Sequence, residues 1–337
     1  MGEQSLDIIC VGRNCIDLYS NDIGAAFRDI KTFSAYVGGC PSNIAVGTRR
    51  LGLRSAMLTA VGPDPVGEFV VEFFRREGVG VDSVPQKPGR RTSAVILGIE
   101  PPDRFPMVYY RENCADAELS IDDVLTAPIE QARIVLIAGT NLTREPCRSA
   151  TIFAAERARA AGAKVFLVLD LRADQWHDLR AYGVNMRRLV PLADVVIGTA
   201  AEVKAAMLVE GMTVAVEHSQ VSDAQVSGDL AAAAQAVLGS GVEALALTRG
   251  ADGSSVHLPS GEVIEAGPYP VDIYNTIGAG DAFASGLIYG YLQGWDWRRS
   301  ARFGNACGAI VVTRHGCANF MPREDEALAF VAEQGGF

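Results

Sequence analysis

Short apolar runs alternate with helix-patterned segments along most of this chain, and that alternation constrains the fold more than any other feature. Leu6 to Val11 is apolar, short and ends at Gly12, as a buried strand does. A helix is predicted over Asn43 to Leu51, with Gly52 as its stop. Ala56 to Val61 reads as a strand and Val66 to Arg76 as a helix ended by Gly78. Further on, strands are predicted at Ile134 to Ala138, Val165 to Leu169, Asp194 to Ile197 and Ala244 to Leu247. Helices are predicted between them at Arg148 to Ala161, Ala200 to Leu208 and Asp229 to Leu238. This order implies an α/β fold, with a mostly parallel sheet between helices on both faces. Thr92 to Ile99 and Pro106 to Arg111 break the pattern. They are two strands joined by the turn-rich Glu100-Pro101-Pro102-Asp103, a hairpin set into the α/β frame. No repeat or low-complexity linker divides the chain, so residues 1–337 read as one domain with a small β appendage.

Composition narrows the function classes. With 49% hydrophobic and 21% charged residues the chain can build a core. A formal net charge of -10 argues against nucleic acid as a partner. It does not argue against a small anion, because a helix N-terminus supplies local positive potential. The seven cysteines are scattered, odd in number and form no C-x-x-C pair, which suits reduced thiols in the cytoplasm. No signal peptide and no membrane-length apolar run is visible.

Two glycine clusters carry the chemistry. Asn275-Thr276-Ile277-Gly278-Ala279-Gly280-Asp281 precedes an apolar stretch, Ala282 to Ile288, that reads as a buried helix. Gly286 and Gly290 would let another helix approach it. Gly278 and Gly280 free the backbone to aim several N–H groups at one point, and Asp281 falls in the first turn. Phosphoryl transfer needs both parts: donors for the moving charge and a carboxylate for the attacking hydroxyl's proton. Asp281 could equally be an ordinary acid stabilising a helix start. The second cluster, Gly38-Gly39-Cys40-Pro41-Ser42-Asn43, also precedes a predicted helix. Asn43 can donate and accept hydrogen bonds as a sugar hydroxyl requires, or simply cap the helix. Asp17 follows the first strand, where parallel sheets present ligand residues, or is a loop carboxylate in water.

With both clusters in this order, the chain resembles the ribokinase-like, PfkB-type carbohydrate kinases from about Asp7 to Pro322. The resemblance implies a three-layer sandwich with a β-sheet lid over the sugar, its strands inserted at about 14–37 and 90–113. It implies Asp281 as catalytic base beside an anion hole at Gly278, Ala279 and Gly280, and Asp17, Gly38, Gly39 and Asn43 around the sugar. Leu247 to Gly253 looks like the family's nucleotide loop, with Thr248, Gly250 and Gly253, and Asn305 would lie near the adenine. ATP with Mg2+ is implied, and a homodimer through the lid. Two positions depart from the pattern. Asn275 replaces the Asp that helps bind a monovalent cation, which puts K+ activation in doubt. Thr199 replaces the Asn of a magnesium-organising motif whose Glu202 remains.

Arg111, at the end of the second lid strand, and Arg172, after the strand ending at Leu169, are candidates for a substrate carboxylate, since a guanidinium forks two donors. Each could instead be solvent-exposed or paired with Glu112 or Asp174. Tyr109 to Asp116, Tyr36 to Asn43 and Asp170 to Trp176 resemble the 5-dehydro-2-deoxygluconokinases of inositol breakdown. The related 2-dehydro-3-deoxygluconate kinases carry similar elements, so a keto-deoxy sugar acid is the expected substrate. A kinase of fructose, ribose or a nucleoside, and a non-catalytic sugar or nucleotide sensor on the same fold, stand as alternatives.

Overall fold

The computed structural model describes residues 5–101, 104–208, 214–216 and 224–337. Strand β1 (Leu6–Val11) is the expected buried run. Its alternate side chains serve two cores, Ile8 and Cys10 on one face and Ile9 and Val11 on the other. The chain then enters a separate small sheet through β2 (Cys15–Ser20) and β3 (Phe33–Gly38) before helix α1 (Cys40–Arg50). β4 (Ser55–Leu58), α2 (Pro65–Glu77) and β5 (Gly80–Ser83) follow. β6 (Ala94–Leu97) and β7 (Met107–Tyr110) form the expected antiparallel hairpin, and Pro102 and Asp103 of its turn lie outside the described residues. The short α3 (Ile121–Thr126) leads into an alternating run: β8 (Ala132–Ala138), α4 (Cys147–Ala160), β9 (Lys164–Val168), α5 (Leu179–Leu189), β10 (Val195–Thr199) and α6 (Ala200–Met207). The ribbon β11 (Val214–Val216) and β12 (Ala224–Val226) is followed by α7 (Leu230–Leu238). Then come β13 (Ala244–Thr248), β14 (Ser254–His257) and β15 (Val263–Ala266). Helices α8 (Ala279–Leu292), α9 (Trp297–Val312) and α10 (Glu324–Glu333) complete the order.

The large sheet has nine strands in the order β15-β14-β13-β10-β9-β8-β1-β4-β5. From β13 to β5 every neighbour is parallel, and β14 and β15 add an antiparallel edge. One core packs beneath α1, α2, α8, α9 and α10, where Ile44, Phe74, Leu287 and Phe303 are buried. The other packs beneath α3 to α7, around Val135, Leu167, Tyr182 and Val203. Burial on both faces explains why these strands read as continuous apolar runs. The chain leaves β1 toward β4 on one side and returns to β8 on the other. That reversal opens a crevice at the carboxyl ends of the two strands, the usual ligand position in a sheet of this type.

The small sheet, ordered β3-β2-β6-β7, has two unlike faces. Cys15, Tyr19, Val95, Leu97 and Met107 pack inward with Cys317. On the other face, the register lines up Leu18, Ile96 and Val108, with Phe33 and Tyr110 beyond them.

Helix α1 begins three residues earlier than expected. Gly39 takes the cap at φ +107°, and Pro41 is tolerated in the first turn because its missing N–H would lack an acceptor anyway. Asn43 is therefore within the helix, its own N–H bonded to the Gly39 carbonyl at 2.8 Å, and is not the cap.

Candidate active site

Helix α8 starts beside the crevice. Gly278 caps it at φ +88°, and a Cβ there would lie 2.7 Å from the Cys317 sulfur, so both backbone and space require glycine. Ala279, Gly280 and Asp281 form the first turn, where backbone N–H groups have no intrahelical acceptor. The N–H of Ala279 turns back to the Thr276 carbonyl at 3.2 Å. Residues Ala282 to Gly290 are all buried, and a Cβ on Gly286 would meet the Gly304 backbone at 2.8 Å, so α9 lies close against this helix. A helix start fixed by such packing holds its first-turn groups rigidly.

Asp281 faces Asn43 across the helix pair. Asn43 Nδ2 donates to Asp281 Oδ2 at 2.6 Å, while Asn43 Oδ1 is buried without a protein partner. Burial, together with the nearby Asp170 charge, pushes the Asp281 carboxyl up to about 6 against the pull of Asn43, Cys40 and Arg172. Asp17, on β2, is also buried and takes a 3.0 Å hydrogen bond from the Cys15 thiol. Burial pushes it up to about 6 as well, opposed chiefly by the Arg13 guanidinium. Gly38 stands behind it, and a Cβ there would fall 1.9 Å from Asp17 Oδ2.

A narrow cleft joins these groups, and Asp17, Gly39, Asn43, Arg172, Gly278 and Asp281 line it. Arg13 and Tyr109 line it too, and neither was a sequence candidate. The signal for Arg13 was its position just past the buried strand β1, where ligand residues gather. Arg172 ion-pairs with Asp170 at 3.0 Å, not with Asp174, and its Nε is buried with no partner.

Arg111 is not among the cleft-lining residues, contrary to the expectation that it meets a substrate carboxylate. Its Nε donates to Asp116 at 2.7 Å, and its Nη1 to the Thr140 carbonyl at 3.0 Å and Gln175 at 2.8 Å. The expected alternative partner, Glu112, is not the one used. A buried guanidinium that finds a buried carboxylate five residues on ties the end of β7 to the loops after β8 and β9.

The candidate nucleotide residues lie along the same carboxyl edge of the large sheet, outside the narrow cleft. Thr248 ends β13; Gly250 and Gly253 turn the following loop at φ +58° and +80°. Asn305, on α9, donates its amide to the carbonyls of Ala266 and Gly267, each at 2.9 Å. Glu202 accepts from the N–H of Thr199 at 2.8 Å and of Leu171 at 2.9 Å, so it caps α6 and anchors the loop carrying Arg172. Each Glu202 oxygen thus accepts one backbone N–H. Among the described residues no group of three or more His, Cys, Asp or Glu is arranged to hold a metal ion. Asn275 is buried, accepts from the Ile277 N–H at 3.0 Å and donates to the His315 carbonyl at 3.1 Å. Among the described residues no helix is long and apolar enough to cross a membrane.

Known proteins agree with this architecture. The model of the pfkB family carbohydrate kinases matches residues 5–324. A 5-dehydro-2-deoxygluconokinase of Shouchella clausii is 34% identical over 332 residues, covering 98% of this chain and 97% of the relative. One from Geobacillus thermodenitrificans is 33% identical, with 98% and 94% covered. Among solved structures, a fructokinase with bound ATP from Xylella fastidiosa superposes with a TM-score of 0.84 at 24% identity, covering 97% and 98% of the two chains. A fructokinase from Vibrio cholerae O395 in fructose, ADP and calcium ion bound form gives 0.82 at 24% identity, with 97% and 99% covered. A parallel sheet with its crevice at the strand ends, a glycine-capped helix start carrying an acid, and a family match over nearly the whole length lead to one conclusion: the chain belongs to the pfkB family of carbohydrate kinases and is a phosphotransferase acting on a sugar.

Proposed function

We propose that this kinase transfers the γ-phosphoryl group of ATP to the primary 6-hydroxyl of 5-dehydro-2-deoxy-D-gluconate. The observation that carries the reading is the Asn43–Asp281 hydrogen bond at the start of α8, in a cleft that also holds an arginine for an acid group. The names of the relatives support the same substrate. Asp281 accepts the hydroxyl proton as the sugar oxygen attacks in line. Asn43 holds that carboxylate in place and turns its free carbonyl oxygen to a second hydroxyl. Asp17 accepts from a further hydroxyl, and Arg172 takes the substrate carboxylate. The first-turn N–H groups at Gly278 to Asp281 receive the charge of the transferring phosphoryl. Magnesium, when bound with ATP, neutralises phosphate charge. Thr248, Gly250, Gly253 and Asn305 line the nucleotide's place on this reading, and Glu202 acts on the metal through water. The small sheet serves as a lid that excludes water. A second copy of the chain covers its outer apolar face, where Val108 is 42% and Tyr110 57% exposed.

The test is ADP release with ATP and Mg2+ across 5-dehydro-2-deoxygluconate, 2-dehydro-3-deoxygluconate, fructose, ribose and adenosine. Turnover confined to the first is expected. Turnover confined to a neutral sugar overturns the substrate assignment and leaves the role of Asp281 to its own variant. ATP and sugar binding without ADP formation would instead mark a sensor.

A further inference from the structure

Two guanidiniums line the cleft, and they are not equivalent. Arg172 is paired with Asp170. Arg13 is only 5% exposed and has no ion-pairing carboxylate among the described residues. Its Nη1 contacts the Cys15 sulfur at 3.2 Å, a weak acceptor, and its guanidinium carbon lies 5.2 Å from the centre of the Tyr109 ring. Its Nε is buried with no partner at all. The charges of Asp17 and Asp170 bear on this cation, yet neither carboxylate reaches its N–H groups, so donors are left for a ligand in the cleft.

The place of Arg13 is also well fixed. Its backbone N–H donates to Asn141 Oδ1 at 3.2 Å, and Asn141 Nδ2 holds the last carbonyl of β1, Val11, at 2.6 Å. The Ser42 hydroxyl donates to the Arg13 carbonyl at 3.1 Å. The fold thus anchors the backbone and leaves the side-chain Nε without a partner. Arg13 and Arg172 act on the same neighbours, since the charges of both bear on Asp17 and Tyr109. Each also carries an Nε–H with no protein acceptor.

We propose that Arg13 and Arg172 together clamp the carboxylate of the sugar acid, and that Arg13 is the residue that selects an acid over a neutral sugar. This rests on the sugar-acid reading above. It gives Arg13 the place that the sequence suggested for Arg111, whose Nε and Nη1 are engaged by Asp116, Thr140 and Gln175 and which does not line the cleft.

The experiment compares Arg13→Met and Arg13→Lys with the unaltered full-length enzyme. It measures KM and kcat for 5-dehydro-2-deoxygluconate, and calorimetric Kd for that acid and for its uncharged carboxamide, with thermal melting as the control for folding. Loss of charge-assisted hydrogen bonds should raise KM and Kd for the acid about 10- to 100-fold in Arg13→Met. Arg13→Lys should recover part of that loss, and binding of the carboxamide should stay near its original value. An unchanged Kd for the acid in a folded Arg13→Met overturns the proposal while the sugar-acid reading stands. Equal losses for acid and carboxamide also overturn it, since they mark a role in shaping the cleft. If the unaltered enzyme takes only neutral sugars or sugar phosphates, the sugar-acid reading fails first and the clamp with it.

Discussion

Asn43 Nδ2 and Asp281 Oδ2 are 2.6 Å apart although 238 positions separate them in the chain. The bond joins the first turns of α1 and α8, one from each glycine cluster. It leaves the Asn43 side-chain carbonyl without a protein partner beside the cleft, so a single contact both orients an acid and prepares a hydroxyl site.

Asp281→Asn keeps the shape and an acceptor for Asn43 but removes the base. A fall in kcat of about 10²- to 10⁴-fold is expected, with the melting temperature retained. Steady-state ADP release and a thermal scan test this together. Near-normal turnover would take Asp281 out of the mechanism.

Asp281 and Asp17 are both pushed up to about 6, mainly by burial. A base must be ionised, so kcat/KM should rise with pH through about 6 and level off above it. Stability runs the other way. The folded state holds these protons more tightly than the unfolded chain, so the contribution of both groups is greatest below the ordinary carboxylate value of 3.8 and declines as pH rises toward about 6. Asn43→Ala removes a hydrogen bond that favours the ionised form. It should move the acid limb of the rate profile to higher pH, and an unmoved limb would assign that limb to another group.

Much of this site is legible in the residues because its chemistry is local. Gly278 to Asp281 lie together on one helix start, and β1 can be read to its ends because it is apolar on both faces and stops at Gly12. What cannot be read is which arginine is left over. Arg111 is drawn off by partners at Thr140 and Gln175, 29 and 64 positions away, whereas Arg13 lines the cleft with no carboxylate of the described residues in ion-pair reach. Strands β14 and β15 escape for another reason. They are four residues each and joined by antiparallel pairing with no crossover helix; β14 is buried but through two serines, and β15 is partly exposed, so neither reads as an apolar run.

Monovalent cations should have little effect on turnover. A cation site needs oxygen ligands, yet Asn275 presents an amide N–H to the His315 carbonyl at 3.1 Å and carries no charge. Initial rates in potassium and in tetramethylammonium at equal ionic strength should agree within about twofold. A large specific stimulation by potassium would contradict this account of Asn275.

The outer face of the small sheet should hold two copies together. Val108 and Tyr110 alternate with inward-facing Met107 and Tyr109 on β7, so charges placed there leave the cleft side untouched. The double variant Val108→Glu, Tyr110→Glu should sediment as a monomer where the unaltered protein sediments as a dimer. A dimer that survives both changes would put the contact elsewhere.

Arg111 should matter for folding more than for substrate. The Arg111–Asp116 pair is buried, with its side chains 7% and 1% exposed. Removing one partner strands the other charge in the interior, which typically costs about 3–5 kcal/mol. Arg111→Met should therefore lower the unfolding free energy by about that amount, while KM for the sugar acid changes little if the variant is assayed well below its melting temperature. Replacing both members, with Asp116→Leu added, should recover much of the loss, because two apolar side chains leave no unpaired charge. Denaturant titration of the single and double variants measures the difference. A stable Arg111→Met whose only defect is a raised KM would return the carboxylate to Arg111.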